Sequence, residues 1–287
     1  MKIKSIITIL VTAALIAVFA TFCKSCKEKK SETGEVSTTK AIKSTDKPLN
    51  ISIYIDLSDR LVRQMTPCQK DKDIEIISYM AEILKNHSVS QKILPSKDRI
   101  KVFFYPSPND SKISLLANDL EMDLSRAQAK EKKKILVEFQ DKFKTSLNQI
   151  YDTTLAAQNW VGSDIWGFFK KQVDTYCIED GYRNIIVILT DGYIYHSLNK
   201  IKDGNNYSYI LPQTLENPNS GLIVYRKGLE NLEVLMLEIN PLDPKKQDQM
   251  EHILEKWLSD MGVTKFYVGE TDQPSNTKLI IDKFMKE

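Results

Sequence analysis

Apolar positions along this chain follow two different periods, one typical of buried strands and the other typical of amphipathic helices. Continuous apolar runs bounded by turn residues predict strands, at 51–55, 99–105, 184–190, 232–239 and 264–268. The run at 184–190 is the most apolar of them, which favours a central strand covered on both faces.

Apolar residues that recur every third or fourth position predict helices in the intervening segments. These helices are expected at 73–85, 124–150, 164–177, 244–261 and 278–285. The run at 112–117 predicts a short edge strand instead. Segment 197–221 has no helical stripe, and a hairpin is expected between 193–195 and 207–211.

Strands that alternate with helices predict an α/β fold of three layers, with a mainly parallel central sheet and helices on both faces. Residues 49–287 are enough for one such domain. In open sheets of this kind, function gathers beyond the carboxyl ends of the strands, where the strand order reverses.

The N-terminus has the pattern of an export signal. Two lysines precede an apolar run at 6–22, which is followed by Cys23 and Cys26. A cysteine at this place is typical of a bacterial lipoprotein, although Phe22 is bulky before Cys23 and Lys24 suits Cys26 poorly. An uncleaved helical anchor and a cleaved soluble form remain open alternatives.

We therefore predict a signal or membrane-anchor segment at 1–26 and a flexible linker at 27–48, which is rich in Lys, Ser, Thr and Glu. Such a chain is expected in the cell envelope, held at a membrane by an N-terminal lipid or helix, with its globular domain outside the cytoplasm.

Charge and cysteine content exclude two classes of protein. Basic and acidic residues nearly balance, at 40 against 38, and no basic stripe carries interleaved aromatics, so nucleic acid is not an expected partner. Cys68 and Cys177 do not make a disulfide framework, and the predicted topology places them at opposite ends of the sheet.

Three short motifs sit where the predicted strands end or a helix begins. Asp56-Leu57-Ser58-Asp59-Arg60 follows the first strand, Gly162-Ser163-Asp164 precedes a helix, and Thr190-Asp191-Gly192 follows the central strand. In this order they resemble the metal-binding loops of von Willebrand factor A domains, over about residues 50–287. Turn formation and helix capping are the simpler alternative reading of the same residues.

The resemblance implies a divalent metal, magnesium, held by Asp56, Ser58, Ser163 and Asp191, with an open position for a partner's carboxylate. Arg60 departs from the family, because it stands where a second serine ligand is expected and a guanidinium only donates hydrogen bonds. Either Arg60 turns outward while Asp59 or water completes the shell, or it neutralises the two aspartates and no metal binds.

The function expected from these residues is recognition of a protein or peptide partner, without catalysis. Asp59, Arg60 and Tyr193 are the candidate partner contacts. An envelope hydrolase or phosphatase that uses Asp56 is the alternative, but Ser58 stands where aspartyl phosphotransferases need a second carboxylate, and no phosphate-binding glycine pattern occurs. An inert structural component is the third reading.

Overall fold

The computed structural model describes residues 47–158, 160, 162–194 and 216–287. The predicted segments 1–26 and most of 27–48 therefore lie outside the described residues, as does the larger part of the predicted hairpin. Within the described ranges, no helix is long and apolar enough to cross a membrane.

Five of the six strands of the sheet are the predicted apolar runs, with small changes at their ends. They are β1 (Leu49–Ile55), β2 (Arg99–Phe103), β4 (Arg183–Leu189), β5 (Leu232–Ile239) and β6 (Lys265–Glu270). All residues of β1 and β4 are buried, which agrees with strands covered on both faces.

The sixth strand corrects the sequence prediction. Residues 112–117 form a helix, α2 (Ser111–Ala117), because Asp110 caps it by accepting hydrogen bonds from the amides of Lys112 and Ile113. The edge strand comes just after it, as β3 (Glu121–Asp123), which pairs antiparallel with β2.

The strand order is β3-β2-β1-β4-β5-β6, and all pairs except β2–β3 are parallel. The chain therefore builds the sheet outward from β1 in one direction and then from β4 in the other. The order reverses between β1 and β4, so the carboxyl ends of these two strands form the switch point of the sheet.

Helices cover both faces of the sheet, as predicted. The described helices besides α2 are α1 (Gln69–Ser90), α3 (Ala129–Ala157), α4 (Ile165–Lys171), α5 (Val173–Cys177), α6 (Gln247–Asp260) and α7 (Pro274–Lys286). The helix predicted at 164–177 is interrupted at Gln172 and forms α4 and α5.

Two apolar cores separate the three layers. One core joins Ile53 of β1 to Phe143 of α3 and Ile281 of α7, and the other joins Ile188 of β4 to Phe168 of α4 and Trp257 of α6. Alternate residues of the buried strands feed the two cores, because side chains along a strand point to opposite faces. The predicted three-layer α/β fold is confirmed.

Candidate functional site

The loop after β1 is held by hydrogen bonds within its own motif. The side chain of Asp56 is 1% exposed, and its Oδ1 accepts a hydrogen bond from the amide of Ser58 at 3.0 Å. Ser58 in turn caps a short 3-10 turn (Asp59–Val62), since its hydroxyl accepts from the amide of Arg60 at 3.5 Å. Asp59 is exposed on this turn.

Parallel pairing of β1 with β4 brings the two strand-end aspartates to one rim. Ile55 pairs with Leu189, and the amide of Asp56 donates to the Leu189 carbonyl at 3.0 Å. Thr190 joins the two loops, because its hydroxyl donates to Asp56 Oδ2 at 3.0 Å and accepts from the amide of Gly192 at 3.2 Å. Asp56 and Asp191 thus lie within electrostatic reach of each other.

Ser163, the third element of the motif, is bonded to Tyr54 rather than to either aspartate. The two hydroxyl oxygens are 2.9 Å apart, and the Tyr54 hydroxyl donates its single proton to the Tyr105 carbonyl at 2.6 Å. Ser163 is therefore the donor to Tyr54. Its neighbour Asp164 caps α4 by accepting from the amide of Gly167 at 2.7 Å.

Arg60 points into the domain. Its side chain is 1% exposed, its Nε donates to the Asp56 carbonyl at 2.8 Å, and its Nη2 donates to Asp73 Oδ2 at 2.5 Å. Tyr151 and Gln69 also donate to the Asp73 carboxylate, at 2.6 Å and 2.8 Å. The outward orientation considered for Arg60 is wrong, and no direct contact with an external partner is available to it in this conformation.

Arg60 forms its ion pair away from Asp56 and Asp191, the two aspartates that it was expected to neutralise. Its ion pair is with Asp73 of α1, which the sequence motif does not contain. The Arg60 charge still acts on Asp56 and Asp191 from a distance. Burial lowers the pKa of Arg60, but Asp73 and Asp56 outweigh this effect and raise it above its ordinary value.

Arg63 is a residue of this rim that the sequence motif does not contain. Its Nη2 donates to Asp191 Oδ2 at 2.6 Å, and its Nη1 donates to the carbonyl of Asn240, just beyond β5. The side chain is 21% exposed, so this ion pair lies at the surface of the rim. The sequence feature that could have indicated Arg63 is its position directly after the 3-10 turn that contains Arg60.

The two rim carboxylates differ from ordinary aspartates in their protonation. Burial, and next the charge of Asp56, raises the pKa of Asp191 to about 7, although Arg63 and Arg60 act in the opposite direction. Burial also raises the pKa of Asp56, against the lowering effect of Arg60. Burial disfavours the charged form of both carboxylates, and the neighbouring charge of Asp56 adds to this effect at Asp191.

The side chains around this pair do not fit the divalent metal that the resemblance implies. A guanidinium already stands on Asp191, and both oxygens of Asp56 accept hydrogen bonds from Ser58 and Thr190. The Ser163 hydroxyl is hydrogen-bonded to the Tyr54 hydroxyl. Within the described parts of the chain, no group of three or more His, Cys, Asp or Glu side chains is placed to hold a metal ion.

A polar network continues from Arg60 beneath the rim to β5 and β6. Gln69 donates both to Asp73 and to Glu238 Oε2, and Thr271 donates to the same Glu238 oxygen at 2.7 Å. Glu238 is 1% exposed, its Oε1 has no hydrogen-bond partner, and burial raises its pKa. Its φ is 69°, and it lies where the register of the β5–β6 pairing shifts.

The surface of the rim is partly apolar. Val62, which directly precedes Arg63, is 53% exposed. Leu242, in the loop after β5, is 66% exposed. Tyr193 is half-buried; its amide donates to Asp191 Oδ1 at 3.3 Å and its hydroxyl accepts from the Leu242 amide at 3.1 Å. Tyr193 therefore fixes the loop after β5 against the loop after β4.

The two cysteines of the domain are free. Cys68 is exposed just before α1, and Cys177 is buried at the end of α5, where its carbonyl accepts from Asn50 near the start of β1. They lie toward opposite ends of the sheet, as the predicted topology requires.

Comparisons with known proteins give similarities of fold at low sequence identity. No family model matches the chain, and no curated protein matches it.

Three solved structures illustrate these similarities. An aerotolerance-related membrane protein from Bacteroides fragilis, carrying multiple mutations to serine, is 13% identical with a TM-score of 0.38 and matches 83% of this chain and 100% of its own. The conserved hypothetical protein BatB from Bacteroides thetaiotaomicron is 14% identical with a TM-score of 0.42, at the same coverage. The open conformation of the pilus adhesin SpaC from Lactobacillus rhamnosus GG is 11% identical with a TM-score of 0.43, over 84% of this chain and 30% of that one. Because these scores lie below 0.5, the assignment of an α/β fold rests on the strand order and layers described above.

Proposed function

We propose that this chain is a von Willebrand factor A-like binding module of the cell envelope, which recognises a protein or peptide partner at the carboxyl edge of its sheet. The observation that carries the proposal is the composition of the rim at the β1/β4 switch point. There the ion pair of Arg63 with Asp191, whose side chains are 21% and 6% exposed, lies next to Val62 in the chain, and the loops that follow β1 and β5 also carry the exposed side chains of Val62 and Leu242.

Such a mixture suits protein recognition. Exposed apolar side chains supply area that a partner can bury, and a partly exposed guanidinium supplies directional donors that select a polar group. The base of the rim is fixed by the Thr190–Asp56 hydrogen bond and by the Tyr193 contacts. A rigid base lowers the entropic cost of binding.

A hydrolase that uses Asp56 is less well supported. A nucleophile or general base must reach the substrate, but the Asp56 side chain is 1% exposed and both of its oxygens already accept hydrogen bonds. A phosphatase or esterase assay of the purified protein, with Asp56→Asn for comparison, tests this alternative. Turnover that is lost in Asp56→Asn while the fold persists would replace the binding proposal.

Attachment to a membrane is proposed from the N-terminal sequence alone. A lipid on Cys23 or Cys26 would place the domain on a tether of about 20 residues, enough to let it meet partners near the membrane surface. The intact mass of the protein extracted from membranes checks this. A mass without acyl chains and with the full apolar run would show an uncleaved anchor instead.

Site-specific photocrosslinking in intact cells tests recognition at the rim. A photoreactive side chain at Val62 or Leu242 is expected to give one discrete adduct, identified by mass spectrometry. The same group at Leu279, which is 67% exposed on α7, is the matched control and should not give that adduct.

The partner identified in the adduct is then purified, and its affinity for the domain is measured directly. Leu242→Asp should weaken it at least about tenfold, because it places a charge in a desolvated contact, whereas Leu279→Asp should leave it unchanged. Equal crosslinking at all three positions, or equal affinity of the two variants, would reject the rim as the recognition surface. Repeating the measurement with a chelator shows whether recognition needs a divalent metal.

A further inference from the structure

The rim brings together oxygen atoms from three residues, of the kinds that normally attract a hard cation. Asp191 contributes a carboxylate from the end of β4, Asn240 contributes a backbone carbonyl from the end of β5, and Asp56 contributes a second carboxylate from the end of β1. Carboxylate and carbonyl oxygens are the preferred ligands of magnesium and calcium ions.

A guanidinium lies between two of these oxygens. Arg63 donates from Nη2 to Asp191 Oδ2 at 2.6 Å and from Nη1 to the Asn240 carbonyl. The two strand ends are also joined by their backbone, because the Asn240 amide donates to the Asp191 carbonyl at 3.1 Å. Arg63 therefore clamps β4 to β5 at the point where a metal ion would bridge carboxylate and carbonyl.

We propose that Arg63 is the resident cation of this rim. Its guanidinium supplies positive charge to Asp191, and it excludes divalent ions by occupying the Asp191 and Asn240 oxygens and by repelling their charge. Cation binding at the rim can be measured without a partner, so its outcome is separate from the outcome of the recognition experiments.

Arg63 and Arg60 do not share this role. Arg60 is buried in the network of Asp73, Gln69 and Tyr151. At the rim, its side chain reaches Asp56 through the backbone carbonyl and not through the carboxylate. Arg63 contacts the rim carboxylate itself and is 21% exposed, so a neutral side chain that replaces it remains in contact with solvent. Substitution of Arg63 in the folded protein therefore tests whether this arginine stands in the place of a metal ion.

The experiment measures binding of Mn²⁺ to the full-length protein in detergent by electron paramagnetic resonance. Arg63→Gln should bind Mn²⁺ at least about tenfold more tightly than wild type, because its neutral side chain removes a nearby positive charge and frees Asp191 Oδ2 and the Asn240 carbonyl. Arg126→Gln is the matched control, since Arg126 pairs with Asp123 at a side-chain exposure of 79% and should behave as wild type.

Two further variants identify the site and the charge. Adding Asp191→Asn to Arg63→Gln should abolish the gained binding, and Arg63→Lys, which keeps the charge, should not gain it. Arg63→Leu replaces Arg63→Gln if the glutamine variant does not fold, as judged by circular dichroism. Equal Mn²⁺ affinity of wild type and the folded neutral variant, whether both bind or neither does, would overturn the proposal, as would a gain that survives Asp191→Asn.

Discussion

Arg60 and Asp73 form an ion pair inside the domain, with Nη2 and Oδ2 2.5 Å apart and the two side chains 1% and 0% exposed. This pair ties the loop after β1 to the first turns of α1. The sequence motif at 56–60 therefore does two things: Asp56 faces the rim, while Arg60 anchors the loop from below.

Removing one partner of this pair should destabilise the domain strongly. Arg60→Met leaves the Asp73 charge buried without its cation, and we expect a loss of about 3–5 kcal/mol in the free energy of unfolding. Urea unfolding of Arg60→Met, Asp73→Asn and the double variant measures it. The double variant should cost clearly less than the sum of the single ones; strict additivity would show that the two side chains do not interact.

Thr190 should be required for the geometry of the rim. Thr190→Val keeps the shape of the side chain but removes the donor to Asp56 and the acceptor for the Gly192 amide. We expect a loss of about 1–3 kcal/mol, because buried polar groups are left unsatisfied. Thermal or urea unfolding checks this against Thr264→Val, whose exposed hydroxyl bonds the Glu230 carbonyl and should change stability by less than about 0.5 kcal/mol.

The left-handed backbone at Glu238 predicts an unusual order of stability. Glu238→Gly and Glu238→Ala both remove the buried carboxylate and its contact with Thr271, but only glycine adopts a φ of 69° without strain. The glycine variant should therefore be more stable than the alanine variant, by about 1–2 kcal/mol. Parallel urea unfolding of the two proteins decides it, and a more stable alanine variant would mean that the strand relaxes out of this conformation.

Stability at low pH should depend on Asp98, which lies just before β2. It accepts hydrogen bonds from the Leu49 amide, Ser88, Ser96 and His87, at 2.7, 2.6, 3.0 and 2.9 Å respectively. Burial raises the pKa of Asp98, but the hydrogen bonds from His87 and Ser88 outweigh it, so the pKa lies below its ordinary value.

A carboxylate with a lowered folded-state pKa stabilises the protein above its unfolded pKa, and this contribution is lost as the pH falls through the folded value. Asp98→Asn should therefore be less stable than wild type at pH 7, by about 1–3 kcal/mol, and the difference should shrink below about pH 4. Unfolding measured from pH 7 to pH 3, with the exposed Asp141→Asn as control, checks the sign. A difference that grows toward low pH would contradict it.

Much of the fold could be predicted from the sequence because its strands are buried on both faces. A strand in that position is rich in apolar residues, and β4 and β5 were therefore found within a residue of their ends. The edge strand β3 was missed for the opposite reason, since three residues with one buried side chain leave no pattern. The apolar run at 112–117 was taken for it, although Asp110 favours a helix start there.

The candidate site was predictable only as far as the sheet topology determines it. Parallel neighbours that both end in aspartate must bring Asp56 and Asp191 to one rim, and they do. The identity of the cations was not predictable. Arg63 meets Asp191 across 128 residues of chain, and Arg60 turns to an aspartate of α1, because the 3-10 turn sends the two arginines to different sides of the loop.

The three-residue edge strand has a consequence for how copies of this domain behave beside one another. An exposed edge strand can pair with a strand of another molecule, and the tendency to aggregate in this way increases with the length and flatness of the edge. On the β3 side the margin spans Glu121–Asp123 and carries two acidic residues, so an approaching strand finds few backbone partners and a repelling charge if it is also acidic. Crowding on this side should therefore not lead to sheet-to-sheet polymers, even where many copies share a small area.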